Sequence, residues 1–168
     1  PDFAEAYHSL SLIELLKGNY QSGLENYEFR FKQKQPAILH GKTIIKRFDA
    51  DVLAKKEKLL VVTEQGLGDT LQYMRYIPYL KKQGLDVAFS AQIKLHSLIK
   101  ASDIDSNPLT PEQAKQISEG RWVPLLSLPR YLHISPKNPI ITQRYIYSRG
   151  NLNKKWKKIL SQEKRPII

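Results

Sequence analysis

The chain has 168 residues, of which 41% are apolar, and a formal net charge of +11. That is room for one domain with its own core plus a small module, and too apolar for a disordered chain. The absence of cysteine excludes disulfides, zinc–thiolate centres and a cysteine nucleophile, and fits a reducing compartment.

No run approaches the roughly 18 consecutive apolar residues of a spanning helix. The first residues lack the basic and apolar regions of a secretory signal, so the expected location is cytoplasmic. From Phe3 to Lys17 the apolar residues Ala6, Tyr7, Leu10, Ile13 and Leu16 recur near one face of a helix. Gly18-Asn19 breaks that pattern, and Gln21 to Lys34 reads as a second helix with Leu24, Tyr27 and Phe31 inward. Ala6-Tyr7, Leu10, Gly18, Tyr20, Gly23 and Tyr27 together resemble one tetratricopeptide repeat, with Pro1-Asp2 as the closing proline of an earlier one. Ser11 departs from the glycine the repeat prefers, and Arg30 from its small residue. A large arginine at a packing position suggests a final repeat with no further one stacked on it. The other reading is a plain helical hairpin appended to an enzyme domain. A lone repeat leaves apolar surface open, so residues 1–35 are expected to pack on the following domain, on other repeats or on another chain. Residues 36–57 read as an irregular connection, tacked down through Arg47-Phe48-Asp49 and Val52-Leu53.

The segment Leu59 to Thr63 is a continuous apolar strand, as expected where both faces are buried. It hands over through Glu64-Gln65-Gly66-Leu67-Gly68-Asp69 to a helical pattern. Such a strand–glycine–helix corner is a ligand-binding position at the carboxyl edge of a parallel sheet. Glycine permits positive φ or close approach of a ligand. The third glycine of a dinucleotide fingerprint is missing, since residue 71 is Leu71, and no Lys-Ser or Lys-Thr pair follows to make a triphosphate loop. Asp69-Thr70-Leu71-Gln72 also fits a helix cap, so Asp69 is either an N-cap, a functional carboxylate, or both.

Leu71, Met74, Ile77 and Leu80 extend a helix from Asp69 to Gln83, bent at Pro78 and closed by Gly84. Asp86 to Ser90 is a strand and Ile93 to Ala101 a helix. Residues 102–120 are polar and turn-rich, with a short helix at Pro111 to Ser118. Trp122 to Leu126 is a strand, Ser127 to Leu132 a short helix, and Thr142 to Tyr147 a candidate last strand. The alternation makes residues 58–150 an α/β unit with a parallel sheet. In residues 151–168, Leu152, Trp156, Ile159 and Leu160 form a helical stripe. Lys154, Lys155, Lys157 and Lys158 lie opposite, as in a helix docked on a domain with Trp156 inward. The basic run either solvates that face or attracts an anionic partner. Nucleic acid is not expected, because no aromatic–basic motif accompanies the charge. His8, His40, His96 and His133 are scattered, with no pair at metal spacing. Tyr73 and Tyr76 either pack or stack on a sugar.

The block from Leu59 to Pro78 around Glu64-Gln65-Gly66-Leu67-Gly68-Asp69, followed by Pro124-Leu125-Leu126-Ser127-Leu128-Pro129, resembles the glycosyltransferase-like domain of bacterial tetratricopeptide-repeat proteins. That domain is similar to the heptosyltransferases of glycosyltransferase family 9. The resemblance implies a helical hairpin followed by a Rossmann-like parallel-sheet domain, the first half of a GT-B architecture. It implies Asp69 as general base for an acceptor hydroxyl, with Gly66 and Gly68 shaping the loop. Glu64, Gln65, Gln72 and Arg75 match the surrounding block and are carried as substrate-binding candidates. The nucleotide-sugar donor would bind mainly in a second domain, with residues 151–168 as the interdomain helix and the start of that domain, so the chain reads as an acceptor-side half with no cofactor or metal of its own. The expected partners are a sugar or glycan acceptor and, through the repeats, a protein or peptide. The alternative is a non-catalytic interaction scaffold whose transferase-like domain is degenerate.

Overall fold

In the computed structural model of the chain, residues 3–49, 53, 55–141 and 143–162 are described. The architecture is α/β. Three parallel strands, β1 (Lys58–Val62), β2 (Asp86–Ser90) and β3 (Arg121–Pro124), form one sheet in the order β2-β1-β3. The central position of β1 follows from its composition. Leu59, Leu60, Val61 and Val62 are all buried, so neither face of this strand could face water.

Alternation along β1 divides the core in two. Leu59 and Val61 join Val87, Phe89 and Val123 in the main core, under α3 (Leu67–Tyr73), α4 (Tyr76–Lys82), α5 (His96–Ala101) and α7 (Leu128–Tyr131). Leu60 and Val62 face the other way, against Ala114 of the short α6 (Pro111–Ala114) and against Leu39 and Ile45 of the connection. The connection thus covers the sheet's second face. It also caps the outer edge of β3: Phe48 N–H donates to Trp122 O at 2.8 Å, and Trp122 N–H donates to Lys46 O at 3.1 Å. The Arg47-Phe48-Asp49 tack expected from the sequence is seen in the buried Phe48 and in Tyr131 Oη, which donates to Phe48 O. Leu53 packs on the main core, whereas Val52 lies outside the described residues.

Several expected boundaries shift. The single helix from Asp69 to Gln83 is two shorter ones, because Pro78 has no N–H to offer the Met74 carbonyl. That carbonyl accepts instead from Ile77 N–H at 3.1 Å, a tightened turn where α3 gives way to α4. The short helix expected from Pro111 to Ser118 ends at Ala114, after a capping box between Thr110 and Gln113. No strand forms among residues 143–147. Tyr145 donates through Oη to Leu71 O at 2.7 Å, and Tyr147 N–H donates to Ser102 Oγ at 2.9 Å. The segment therefore runs over the helical layer and finds its partners there rather than at a sheet edge.

The helical hairpin is α1 (Ala4–Leu16) and α2 (Tyr20–Tyr27), with a 3-10 turn at Glu28–Phe31. Small residues set the contact between the helices. A Cβ on Gly23 would sit 2.9 Å from Leu15 Cγ, and Ser11 is fully buried with its hydroxyl donating to His8 O at 2.6 Å. This close approach turns the expected inner face of α1 outward: Leu10, Ile13 and Leu16 are 43%, 53% and 89% exposed. The helix expected from the stripe of Asn151 to Leu160 forms, but it is not docked with Trp156 inward on this domain. In α8 (Gly150–Leu160) no residue is buried, and Trp156 is 54% exposed, because no described element covers its apolar stripe. Pro1, Asp2 and residues 163–168 lie outside the described residues.

Two glycines with similar backbone angles separate conformational cost from steric cost. Gly18 has φ +84° with open space around it, whereas Gly120 has φ +91° and a Cβ there would lie 2.3 Å from Lys58 O. Gly18→Ala should cost about 1–2 kcal/mol, the left-handed penalty alone. Gly120→Ala should cost clearly more, because the start of β1 must also move. Chemical denaturation of the two variants tests this; equal losses would contradict it.

Candidate functional site at the carboxyl end of strand β1

Beyond β1 the chain is pinned on both sides before it turns. Thr63 N–H donates to Ser90 O at 3.1 Å, and Thr63 O accepts from His40 N–H at 2.9 Å. Glu64 follows, fully buried. Its carboxylate takes a two-pronged grip from the hairpin: Arg30 Nε donates to Oε2 at 2.9 Å and Arg30 Nη2 to Oε1 at 2.8 Å. Leu126 N–H, just past β3, donates to Oε1 at 3.3 Å. Glu64, carried as a substrate-binding candidate, therefore turns away from any ligand and anchors the loop from beneath.

Arg30 is itself 1% exposed, and its charge is fully accommodated. Its remaining N–H groups reach Tyr27 O at 3.0 Å, Glu28 Oε1 at 2.9 Å and Ser127 Oγ at 2.8 Å. With the two bonds to Glu64 this occupies all the donors of a guanidinium. It lies against two rings, with Cζ 4.4 Å from the Tyr27 centroid and 4.2 Å from that of Phe31. Glu28 extends the network to Arg47 of the connection and accepts from Ser127 Oγ at 2.7 Å. Burial pushes the Glu28 carboxyl up, but Arg30, Ser127 and Arg47 outweigh that and hold it below the ordinary value of 4.5. Arg30, noted in the sequence only as a departure from a repeat pattern, is thus the residue that joins hairpin to sheet.

Above this anchor the loop is open. Gln65 adopts φ +59° and donates through Nε2 to Tyr27 Oη at 2.8 Å. The left-handed step thus falls on Gln65 and not on a glycine. Gly66 is the extended N-cap of α3, and Gly68 lies within the helix. Asp69 is therefore not the N-cap but the third helical residue. Its Oδ2 accepts from Gly66 N–H at 2.9 Å, and a Cβ on Gly66 would sit 3.1 Å from that oxygen. Gly66 makes room for the cap. Gly68 has nothing within 4 Å of a would-be Cβ, so it leaves surface free above the helix. Asp69 Oδ1 accepts no hydrogen bond from a described residue.

Tyr27 and Tyr73 stand near enough to Asp69 to feel its charge. Burial first, then Tyr27, Tyr76 and Asp69, push the Tyr73 hydroxyl up to about 12, so both rings present neutral phenols at pH 7. Thr70 Oγ1 donates to Gln92 Oε1 at 2.9 Å, which leaves Gln92 Nε2 buried without a partner among the described residues. Sequence reasoning passed over Gln92. The available signal was its position two residues beyond β2, at the same sheet edge. Gln72 and Arg75 lie one turn further along, away from this corner. Arg75 Nη2 donates to Gln72 Oε1 at 2.9 Å and to Tyr145 Oη at 3.1 Å. The structure thus gathers Gln65, Gly66, Gly68 and Asp69 at one exposed corner, buries Glu64 below it, and sets Gln72 and Arg75 to one side.

Among the described residues no group of three or more His, Cys, Asp or Glu side chains is placed to hold a metal ion, and no helix is long and apolar enough to cross a membrane. No family model matches the chain, and no curated protein or solved structure matches it.

Removing one partner of a buried ion pair strands the other, at a cost of about 3–5 kcal/mol. Arg30→Met should therefore destabilise the chain by that order, and adding Glu64→Leu should restore part of the loss; urea melts of the single and double variants measure both. The Glu28 carboxyl, depressed in the folded state, contributes stability above its unfolded pKa that is lost as pH falls through the folded value. Glu28→Gln should thus lower the melting temperature at pH 7 and flatten its fall between about pH 5 and pH 3. An unchanged acid profile would contradict that assignment.

Proposed function

We propose that these residues form the acceptor-side half of a sugar transferase, with Asp69 as general base and a nucleotide-sugar donor bound by a second domain. The reading rests on the sequence resemblance, and one observation supports it best: the two oxygens of Asp69 have separate duties. Oδ2 is held by Gly66 N–H. Oδ1 has no partner among the described residues, beside the open surface at Gly68. In the proposed reaction Oδ1 takes the proton of an acceptor hydroxyl as that oxygen attacks the anomeric carbon, and the phosphate leaving group departs with the bonding electrons. A base held by one oxygen and free at the other is oriented without being consumed. The proposed site comprises Gln65, Gly66, Gly68 and Asp69, with the half-buried Tyr73 beside it as an aromatic surface for a sugar ring. Within the reading, the hairpin belongs to a tetratricopeptide array and the sheet domain to a GT-B enzyme of the cytoplasm.

Asp69→Asn separates catalysis from stability. Asn keeps an oxygen for Gly66 N–H and loses only the favourable charge near the helix start, so stability should fall by less than about 1 kcal/mol. Transfer, assayed in a protein that also carries the donor-binding domain, should fall by about 10²–10⁴-fold. Retained transfer would leave Asp69 as a cap alone. Gly68→Ala supplies the converse. Helix propensity favours alanine by about 1 kcal/mol, and the space is open, so the fold should be as stable or more so. Acceptor binding, followed by ligand-observed NMR with glycan fragments, should nevertheless weaken.

A second reading, a non-catalytic scaffold, is favoured by the exposed stripe Tyr7, Leu10, Ile13 and Leu16 on α1. Apolar surface of that kind marks protein contacts. Under it, α1 substitutions would abolish partner capture and Asp69→Asn would change nothing.

A further inference from the structure

A cavity of about 330 Å³ lies between α4 and the segment that crosses it, lined by Arg75, Lys82 and Arg144 together with Tyr79, Ile140 and Gln143. Its size is at the lower end of the range for small-molecule sites. Three cations line it, and no carboxylate is among its lining residues. Some cations of the fold are neutralised, Arg30 by Glu28 and Glu64, Lys81 by Asp105 and Arg47 by Glu28. Arg75, Lys82 and Arg144 make no ion pair among the described residues.

Arg75 differs from Arg30 in a further way. Its Nε donates to Gln72 O at 2.7 Å, and Nη2 donates to Gln72 Oε1 and to Tyr145 Oη. The Tyr145 ring lies under the guanidinium, 4.7 Å from Cζ to the centroid. These contacts fix the plane of the fork but use only neutral acceptors. The two Nη1 hydrogens have no acceptor among the described residues, so a held guanidinium still has a free edge. Arg144 lies over the Tyr147 ring, 4.5 Å from its centroid, which limits where its charge can travel. Lys82, exposed on α4, adds a point charge to the lining. A fork and a point charge around one space suit a multiply charged oxyanion, which satisfies several donors at once. The wall of Tyr79, Ile140 and Pro78 offers an apolar surface for a small carbon skeleton.

We infer that this cavity is a binding site for a small phosphorylated molecule, with the phosphate held by Arg75, Lys82 and Arg144 and its carbon skeleton against Tyr79 and Ile140. The site is independent of the role assigned to Asp69, since none of its lining residues belongs to that corner.

Calorimetric titration of the chain with pyrophosphate, with glucose 6-phosphate and with glucose, at constant ionic strength, tests the assignment. The two phosphate compounds should bind saturably with one site, and glucose should not. Tighter binding of glucose 6-phosphate identifies a phosphorylated metabolite as the ligand class; tighter binding of pyrophosphate identifies the phosphate group itself. The double variant Lys82→Gln with Arg144→Gln alters two exposed side chains, so the apo melting temperature should hold while affinity falls at least about tenfold. A control double variant on α8, Lys154→Gln with Lys155→Gln, removes the same charge elsewhere and should leave affinity within about twofold. Absence of saturable binding by the unmodified chain would overturn the assignment. So would equal weakening by the two double variants, which would reduce the effect to diffuse attraction by a basic surface.

Discussion

The grip of Arg30 on Glu64 is the contact on which the rest of the structure depends. Two full charges are removed from water, a step that costs several kcal/mol per ion unless geometry and hydrogen bonding compensate. Here compensation is complete for the guanidinium: each N–H has an acceptor, and two aromatic rings lie against it. Such a pair adds less to net stability than to specificity, because any other placement of the hairpin would strand a charge. One pair thereby sets the position of α2 on the sheet, the entry of the loop after β1, and the turn after β3 that supplies Leu126 N–H and Ser127 Oγ.

That arrangement gives the hairpin a structural part in the candidate site. The exposed loop from Gln65 to Asp69 is mounted on Glu64, and Gln65 reaches back to Tyr27 of α2. The corner is thus built by two segments far apart in sequence, one below and one beside it. The open surface at Gly68 and the Oδ1 of Asp69, which accepts no hydrogen bond from a described residue, are presented by a loop anchored at Glu64. Rigid support beneath an accessible carboxylate is what positions a base for proton transfer, so the hairpin serves the proposed chemistry even if its outer helix also serves a partner.

Much of the fold was legible. A strand apolar on both faces had to be covered on both, and β1 is; the alternation of strands and helices required a parallel sheet. Gly18 and Gly84 ended helices as expected, both at positive φ. What was not legible turned on tertiary partners. Periodicity marked the apolar stripe of α1 but not which side would be covered; Ser11 and Gly23, by letting the helices approach closely, decided that against the stripe. Thr142 to Tyr147 carries strand-like composition, yet the hydroxyls of Tyr145 and Ser102 take its backbone and side chains to the helices. At the site, the glycine–aspartate spacing marked the turn from β1 into α3. It misassigned Asp69 by three helical positions, and it gave no hint that Glu64 would point inward, because its partner lies 34 residues earlier.

Native-state hydrogen exchange compares most directly the stability of the hairpin with that of the sheet it grips. If the buried pair makes them one cooperative unit, the most protected amides of α2 and of β1 should open with the same free energy, and should fall together when urea is added. If α2 exchanges several kcal/mol more easily while β1 keeps full protection, the hairpin is an appendage, and the loop carrying Asp69 is not anchored in the way described here.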